Sequence, residues 1–312
     1  MKELILTVGM SCSGKTTWAE DFVRNRCDWV NLNRDDVRFN TFAHGKRDWT
    51  RYKFNNKNEK RVTSIIECFS EEAVAQGLNI IVSDTNLSEK TRNKWKTFAE
   101  QHGYTYSEKV FPIEWEEARK RNKQREGGIS ESVLWSQYLR MNEYLGRRTY
   151  KGTPNKNDAV IIDIDGTVAC MKGVRKPFEW DKVGNDTPRH FVIDMVQGLM
   201  NQGLTPVFLS GRDGCCVEET YLWINEYIMD GVPFYLFMRG PNDSRKDKIV
   251  KEEIFWKYVA NNFNVVGAID DRASVLQLWR ELGIKNIIDV SGDRYHAVSY
   301  THLTLPTTYG VG

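Results

Sequence analysis

The stretch Leu4 to Thr17, LILTVGMSCSGKTT, constrains the fold more than any other part of the chain. A short apolar run, Leu4 to Val8, breaks at Gly9, and an amphipathic segment resumes at Trp18. Between them stands Gly9-x-x-x-x-Gly14-Lys15-Thr16, the spacing of a phosphate-binding loop. The residue types answer to the chemistry. Glycines let successive backbone N–H groups curl inward around an anion, and Lys15 brings a cation to the β- and γ-phosphates of a nucleotide. Thr16, beside Ser13 and Thr17, offers a hydroxyl to Mg²⁺, and the helix that follows points its positive end at the same place. An ordinary strand–turn–helix is the bland alternative. The apolar run before and the helix-like stretch after are the context the motif requires, so a nucleotide-binding α/β domain is predicted here.

The chain has 312 residues, 40% of them hydrophobic, enough for two cores and hence two domains. A mean hydropathy of -0.54 and the lack of a long apolar run argue against a membrane span. Met1-Lys2-Glu3 leads straight into the first strand, so no signal peptide is expected and a cytoplasmic location follows. Cysteines 12, 27, 68, 170, 215 and 216 show no CxxC pairing and read as reduced thiols, with Cys215-Cys216 taken as packing. The formal net charge of +2 says little about partners; its local distribution says more.

After the loop, Thr17 to Arg24 reads as a helix and Trp29 to Leu32 as a second strand, ending in Asn33-Arg34-Asp35-Asp36-Val37-Arg38. A carboxylate just past a strand that neighbours a phosphate loop is where an acceptor hydroxyl could lose its proton. Asp35 and Asp36 also suit a helix N-cap, and spacing leaves both readings open. From Ala43 to Val62 the chain is basic (Lys46, Arg47, Arg51, Lys53, Lys57, Lys60, Arg61) with Trp49, Tyr52 and Phe54 interleaved. Cations beside aromatic platforms suit single-stranded nucleic acid, and a solvated helix face is the alternative. Asn79 to Ser83 is a buried strand ending at Asp84, which could hold a metal shell, touch the substrate or cap the next helix, about Glu89 to Gln101. Tyr104 to Val110 reads as another strand. Glu114 to Arg125 then concentrates Arg119, Lys120, Arg121, Lys123 and Arg125. A helix would put Arg121 and Arg125 on one face, where an arginine pair could neutralise charge on a phosphoryl group in transfer; a solvated face is the alternative. Ser130 caps a last helix to about Leu145, and Arg147 to Asp158 reads as a polar linker.

A second apolar strand, Ala159 to Ile162, runs into Asp163-Ile164-Asp165-Gly166-Thr167. At a strand end the chain turns, and both carboxylates can reach one metal ion. The pair suits a division of labour in which one aspartate attacks phosphorus and the other protonates the leaving oxygen, then activates water. Two later strand ends extend the pattern. Thr205 to Leu209 ends at Ser210-Gly211-Arg212, suited to a phosphate, and Val265 to Ile269 ends at Asp270-Asp271, suited to a hard cation. Lys251, four residues after Asp247, can shield nucleophile and phosphate from each other. Any one of these is explained by a capping acid at a strand end; three in this order are not. From about His296 the chain carries no Lys, Arg, Asp or Glu and fits neither pattern. It reads as a tail, disordered or foreign to the sequence, in which His296 and His302 are incidental.

Together LTVGMSCSGKTTWA, NRDDVR, VSDTNL, RNKQR, DIDGTVA, LSGR, RKDKIVKEEIFWK and AIDDR closely resemble the polynucleotide 5′-kinase/3′-phosphatases of T-even-type bacteriophages, over about Met1 to Asp293. The resemblance implies an α/β chain of two parallel-sheet domains. These would be a P-loop kinase at 1–148, a linker at 149–157, a haloacid-dehalogenase-type phosphatase at 158–295 and the tail at 296–312. It implies ATP and Mg²⁺ as cofactors, DNA or RNA ends as substrates, a host-cell cytoplasmic location and a homotetramer. Residue by residue, Lys15 and Thr16 would bind ATP phosphates and Mg²⁺, with Asp35 as base for the 5′-hydroxyl. Arg38 and Asp84 would belong to the acceptor site, and Arg125 would clamp the donor. Asp163 would be the phosphatase nucleophile and Asp165 its acid/base. Arg175, Ser210, Arg212, Asp247, Lys251, Asp270 and Asp271 would complete that site, the metal held among Asp163, Asp165, Asp270 and Asp271.

One departure stands out: the family's loop usually has Pro and Gly where this chain has Ser11 and Cys12. If position 12 requires positive φ, Cys12 costs about 1 kcal/mol or more. Two other readings remain at this stage: a small-metabolite kinase fused to a small-molecule phosphatase, and an end-binding protein with inactive sites. The basic aromatic stretch and the short span after Asp165, which leaves little room for a cap, count against the first. Intact Lys15, Asp35, Asp163 and Asp165 count against the second.

Overall fold

In a computed structural model of the chain, residues 2–45 and 49–292 are described. The chain divides into two compact units, Met1–Thr149 and Tyr150–Gly312. The tail from His296, with His302, lies outside the described residues, as do Lys46 and Arg47 of the basic stretch.

The first unit begins with β1 (Lys2–Val8), α1 (Lys15–Val23), β2 (Trp29–Leu32), α2 (Arg34–Phe42) and α3 (Asn56–Ala75). It continues through β3 (Asn79–Val82), α4 (Glu89–Gln101), β4 (Tyr104–Val110), α5 (Trp115–Gln124) and α6 (Glu131–Tyr144). Its four strands are all parallel, in the order β2-β3-β1-β4. Parallel strands need helical crossovers, which bury both faces; hence the continuous apolar runs of β1 and β3. The order makes β1, β3 and β2 neighbours, so the residues after their carboxyl ends share one edge, where α/β sheets bind ligands.

The second unit contains β5 (Asp158–Ile162), β6 (Ala169–Cys170), β7 (Thr187–Pro188), α7 (His190–Asn201), β8 (Thr205–Asp213) and α8 (Val217–Ile224). Then come β9 (Tyr235–Arg239), α9 (Asp247–Ile254), β10 (Asn264–Asp270), α10 (Ala273–Leu282) and β11 (Asn286–Asp289). Five strands form a parallel sheet in the order β11-β10-β5-β8-β9. Strand alternation divides its core. Ala159, Ile161, Val207 and Leu209 pack on one face, Val160, Ile162, Phe208 and Ile269 on the other. Here β5 lies between β10 and β8, which brings the three carboxyl ends together.

The span after Asp165 carries only the small antiparallel pair β6–β7 and a 3₁₀ segment at Trp180–Asn185 before α7 begins. No described helix is long and apolar enough to cross a membrane.

Candidate active sites

In the first unit a cleft of about 640 Å³ opens at the carboxyl ends of β1, β2 and β3. Gly14, Lys15, Thr16 and Thr17 line one side, Asp35, Arg38 and Asp84 another, and Arg121 and Arg125 a third. Gly9 lies at the end of β1 against Phe111, where a Cβ would meet the Phe111 carbonyl oxygen at 2.8 Å, so no larger residue fits. The buried Lys15 donates to the Met10 carbonyl at 2.7 Å and to Ser13 Oγ at 3.4 Å. Burial pulls its ammonium down to about 8, and Asp84 and Asp35 oppose that shift. A polyanion entering the loop would act in the same direction as those carboxylates.

Asp35 lies in the first turn of α2, and Asn33 caps that helix by accepting from the N–H groups of Asp35 and Asp36. The capping alternative for Asp35 is thereby corrected, because Asn33 already fills the position. Arg38 Nη1 donates to Asp35 at 2.6 Å, while its Nε and Nη2 hold Glu59 at 3.0 and 2.7 Å. Glu59 also accepts from Arg34 at 2.8 Å and Tyr52 at 2.6 Å. Burial opposes ionisation of Glu59, but these donors dominate and hold it at about 2. Glu59 thus fixes Arg38 beside Asp35. In the sequence it stood out only as one acid within a basic run.

Asp84 accepts from the Arg34 N–H at 2.9 Å, and burial pushes its carboxyl up to about 6. A carboxyl raised by folding binds more protons folded than unfolded, so its destabilisation grows as pH rises from about 4 to about 6 and persists above. Asp84→Asn should therefore stabilise the protein above pH 6 by about 1–3 kcal/mol. It should also flatten that pH slope, as read by urea titrations across pH. Equal stability of the two proteins at pH 8 would contradict this.

Arg125 caps the carboxyl end of α5 with its N–H still bonded to the Arg121 carbonyl at 3.1 Å, so the two arginines stand one turn apart and converge on the loop at Cys12. Arg121 Nη1 donates to the Cys12 carbonyl at 3.3 Å, and Arg125 Nη1 approaches Cys12 Sγ at 3.7 Å. Cys12 has φ 68, the left-handed region. Cys12→Gly should relieve about 1 kcal/mol of strain, partly offset by glycine's freedom in the unfolded chain. The expected net gain is a few tenths of a kcal/mol, read as a higher urea midpoint.

Arg51 and Lys53 are exposed and line no part of the cleft. Of the interleaved aromatics, Tyr52 is buried in the core and unavailable for stacking, which corrects that part of the expectation. Trp49 does line the cleft, with Phe54 stacked on it at 5.5 Å.

In the second unit a cleft of about 530 Å³ opens over β5, β8 and β9. Lys251, fully buried, donates to Asp163 at 2.6 Å and Asp270 at 2.8 Å and lies 3.6 Å from Asp247. Burial alone would pull the Lys251 ammonium down; Asp163, Asp270 and Asp247 overcome it and raise its pKa. Burial likewise drives the Asp163 carboxyl upward; Lys251 opposes this, and Asp270 and Asp247 add to it. Asp163, Asp270 and Asp271 offer ligand atoms within 4.8 Å of one another, all buried. The Asp271 carboxylate presses on Gly166 (φ 84) where a Cβ would stand. Three buried carboxylates against one ammonium leave a negative excess of oxygen ligands, which fits a hard divalent cation.

Asp165 is not in that cluster. Its carboxylate is taken by Arg212, Nη2 at 2.7 Å and Nε at 3.1 Å, and by Arg175 Nη2 at 2.8 Å. The expectation that its side chain ligates metal is corrected, because two guanidinium groups already claim it. Arg212 and Arg175 also bind Asp186, at 2.6 and 2.8 Å. Asp186 is buried and stands in no strand-end motif, which is why sequence reasoning missed it. Ser210 is buried too, its Oγ accepting from the Arg212 N–H at 3.2 Å, so its hydroxyl orders the turn. Gly211 and Asp247 line the cleft, and Arg272, also unforeseen, donates to Asp247 at 3.3 Å.

Two family profiles match the chain. Residues 157–293 match the phosphatase domain of the polynucleotide kinase PNKP, and residues 4–145 match an AAA domain. Over 306 residues, 94% of this chain, it is 32% identical to a protein of Autographa californica nuclear polyhedrosis virus described as a bifunctional polynucleotide kinase/RNA ligase. The chain spans 43% of that relative's length. Among solved structures, a chain of the Pnkp1/Rnl/Hen1 RNA repair complex is 27% identical. The match covers 92% of this chain and 95% of that one, with a TM-score of 0.41. The Mycobacterium tuberculosis APS kinase CysC is 14% identical, with 39% of this chain and 68% of that one covered and a TM-score of 0.30.

Proposed function

The chain belongs to the polynucleotide kinase–phosphatase family, and from that premise we propose that it heals nucleic-acid ends. One site phosphorylates 5′-hydroxyl ends from ATP, and the other removes 3′-phosphates. The observation that carries this reading is the presence, in one chain, of a cleft joining Lys15 to Asp35 and a second lined by Asp163 and Asp165, with Lys251 buried against Asp163.

In the kinase site, Lys15, Arg121 and Arg125 would hold the donor phosphates, and Thr16 would face Mg²⁺. Asp35 would accept the proton of the 5′-hydroxyl at its carboxylate, while Arg38, oriented by Glu59, would meet the acceptor's phosphate. Asp84 would line the acceptor side, and Arg51 and Lys53 would add salt-dependent attraction for the strand. In the phosphatase site Asp163 would attack phosphorus, with Lys251 holding nucleophile and phosphate together. Asp165 would protonate the leaving 3′-oxygen and then take a proton from water, with Arg175 and Arg212 setting its orientation. Asp163, Asp270 and Asp271 would hold Mg²⁺, whose charge lets a carboxylate approach a phosphate dianion. A cytoplasmic location and a homo-oligomer accompany the family resemblance.

The test offers the protein γ-labelled ATP with a 5′-hydroxyl oligonucleotide, in competition with nucleosides and sugars. Label should enter the oligonucleotide. Preferential labelling of the small acceptors would support a metabolite kinase instead.

A further inference from the structure

Phe178 is 79% exposed at the mouth of the second cleft, and its backbone has φ 72. It occupies a tight turn, Lys176-Pro177-Phe178-Glu179, closed by the Glu179 N–H to the Lys176 carbonyl at 3.3 Å. Pro177 suits the second position of such a turn, whereas a positive φ at the third favours Gly or Asn. A bulky residue there is strained and also leaves a large apolar ring in water, so neither local conformation nor core packing accounts for it. Glu179 pins the turn, accepting from the Lys176 N–H at 2.6 Å and from Lys182 at 2.9 Å. The ring meets Trp180 edge to face at 5.7 Å and 87°. Trp180 lies 5.8 Å from the Arg175 guanidinium, which donates to Asp165. A continuous line of contacts therefore links the proposed acid to an open aromatic face. Arg239, Arg245 and Arg272 also line this cleft.

We propose that Phe178 is the stacking platform for the base of the nucleotide bearing the 3′-phosphate. The inference rests on the reading that this cleft hydrolyses nucleic-acid 3′-phosphates. The ring shares the cleft with Asp163, so what covers it is what is attached to the reacting phosphoryl group. The arginines, each held by Asp243 or Asp247, stand where the backbone of a strand would pass. Every base has a π-face, so a phenyl ring accepts any terminal base without hydrogen-bond readout, as an end-processing site requires.

The experiment compares wild type, Phe178→Gly and Phe178→Trp on two oligonucleotides ending in 3′-phosphate, one with a base on the last nucleotide and one abasic there. Because Gly suits the turn, Phe178→Gly should melt no lower than wild type. It should nonetheless lose about tenfold in kcat/KM on the base-bearing end. The loss should lie in KM with kcat retained, and on the abasic end it should shrink to within about twofold. Phe178→Trp should keep the base-bearing activity and show quenching of its indole on binding. Equal losses on both ends, no loss on either, or a lower melting temperature that accounts for the lost activity would overturn the platform. Wild-type protein that leaves both ends phosphorylated would overturn the functional reading itself, a result distinct from all of these.

Discussion

Asp163→Asn is expected to lower 3′-dephosphorylation by about 10⁴-fold or more and to leave 5′-phosphorylation within about twofold of wild type. An amide is far too poor a nucleophile to form an acyl-phosphate, and two of the neighbouring carboxylates are engaged elsewhere. Asp270 is tied to Lys251, and Asp165 is held by two arginines. Stability should not suffer. Lys251 keeps Asp270 and Asp247 after the substitution, and one member of a crowded carboxylate set is neutralised. The measurement is both activities on purified protein, with thermal melts alongside. Loss of kinase activity with an unchanged melt would mean that the two halves are coupled.

Asp35→Asn should do the reverse, lowering 5′-phosphorylation by about 10²- to 10⁴-fold with the phosphatase unchanged. The amide keeps the shape of the side chain but cannot take up the hydroxyl proton. Arg38 loses one charged partner and retains Glu59 through two hydrogen bonds, so its position should hold. A variant with undiminished transfer rates would remove Asp35 from proton transfer and leave it a partner of Arg38.

Much of this was legible in the sequence because parallel sheets collect chemistry at strand ends. An apolar run followed by Gly9 to Thr16, or by Asp163 to Thr167, announces both the strand and what stands after it. The strand orders β2-β3-β1 and β10-β5-β8 then bring Lys15, Asp35 and Asp84 together, and Asp163, Asp270 and Arg212. Residues that act through arginines were not legible. Glu59 sits inside α3 and Asp186 at the end of a 3₁₀ segment, and neither has a periodic or motif signal. Their importance comes from Arg38, Arg175 and Arg212 reaching them across the fold. Arg121 and Arg125 meet at Cys12 because Arg125, as the cap of α5, keeps its one-turn spacing from Arg121. The pair β6–β7 left no signal either, since its strands are two residues each and too short to show alternation.

Two opposite phosphoryl chemistries on nucleic-acid ends in one chain can be followed on a single oligonucleotide with a 5′-hydroxyl and a 3′-phosphate. Incubated with ATP and Mg²⁺ and followed at both ends by mass spectrometry, it should gain a phosphoryl group at the 5′ end and lose one at the 3′ end. Asp35→Asn should block only the first change and Asp163→Asn only the second. An oligonucleotide unchanged at both ends, while a small metabolite in the same mixture is phosphorylated, would contradict the end-healing reading.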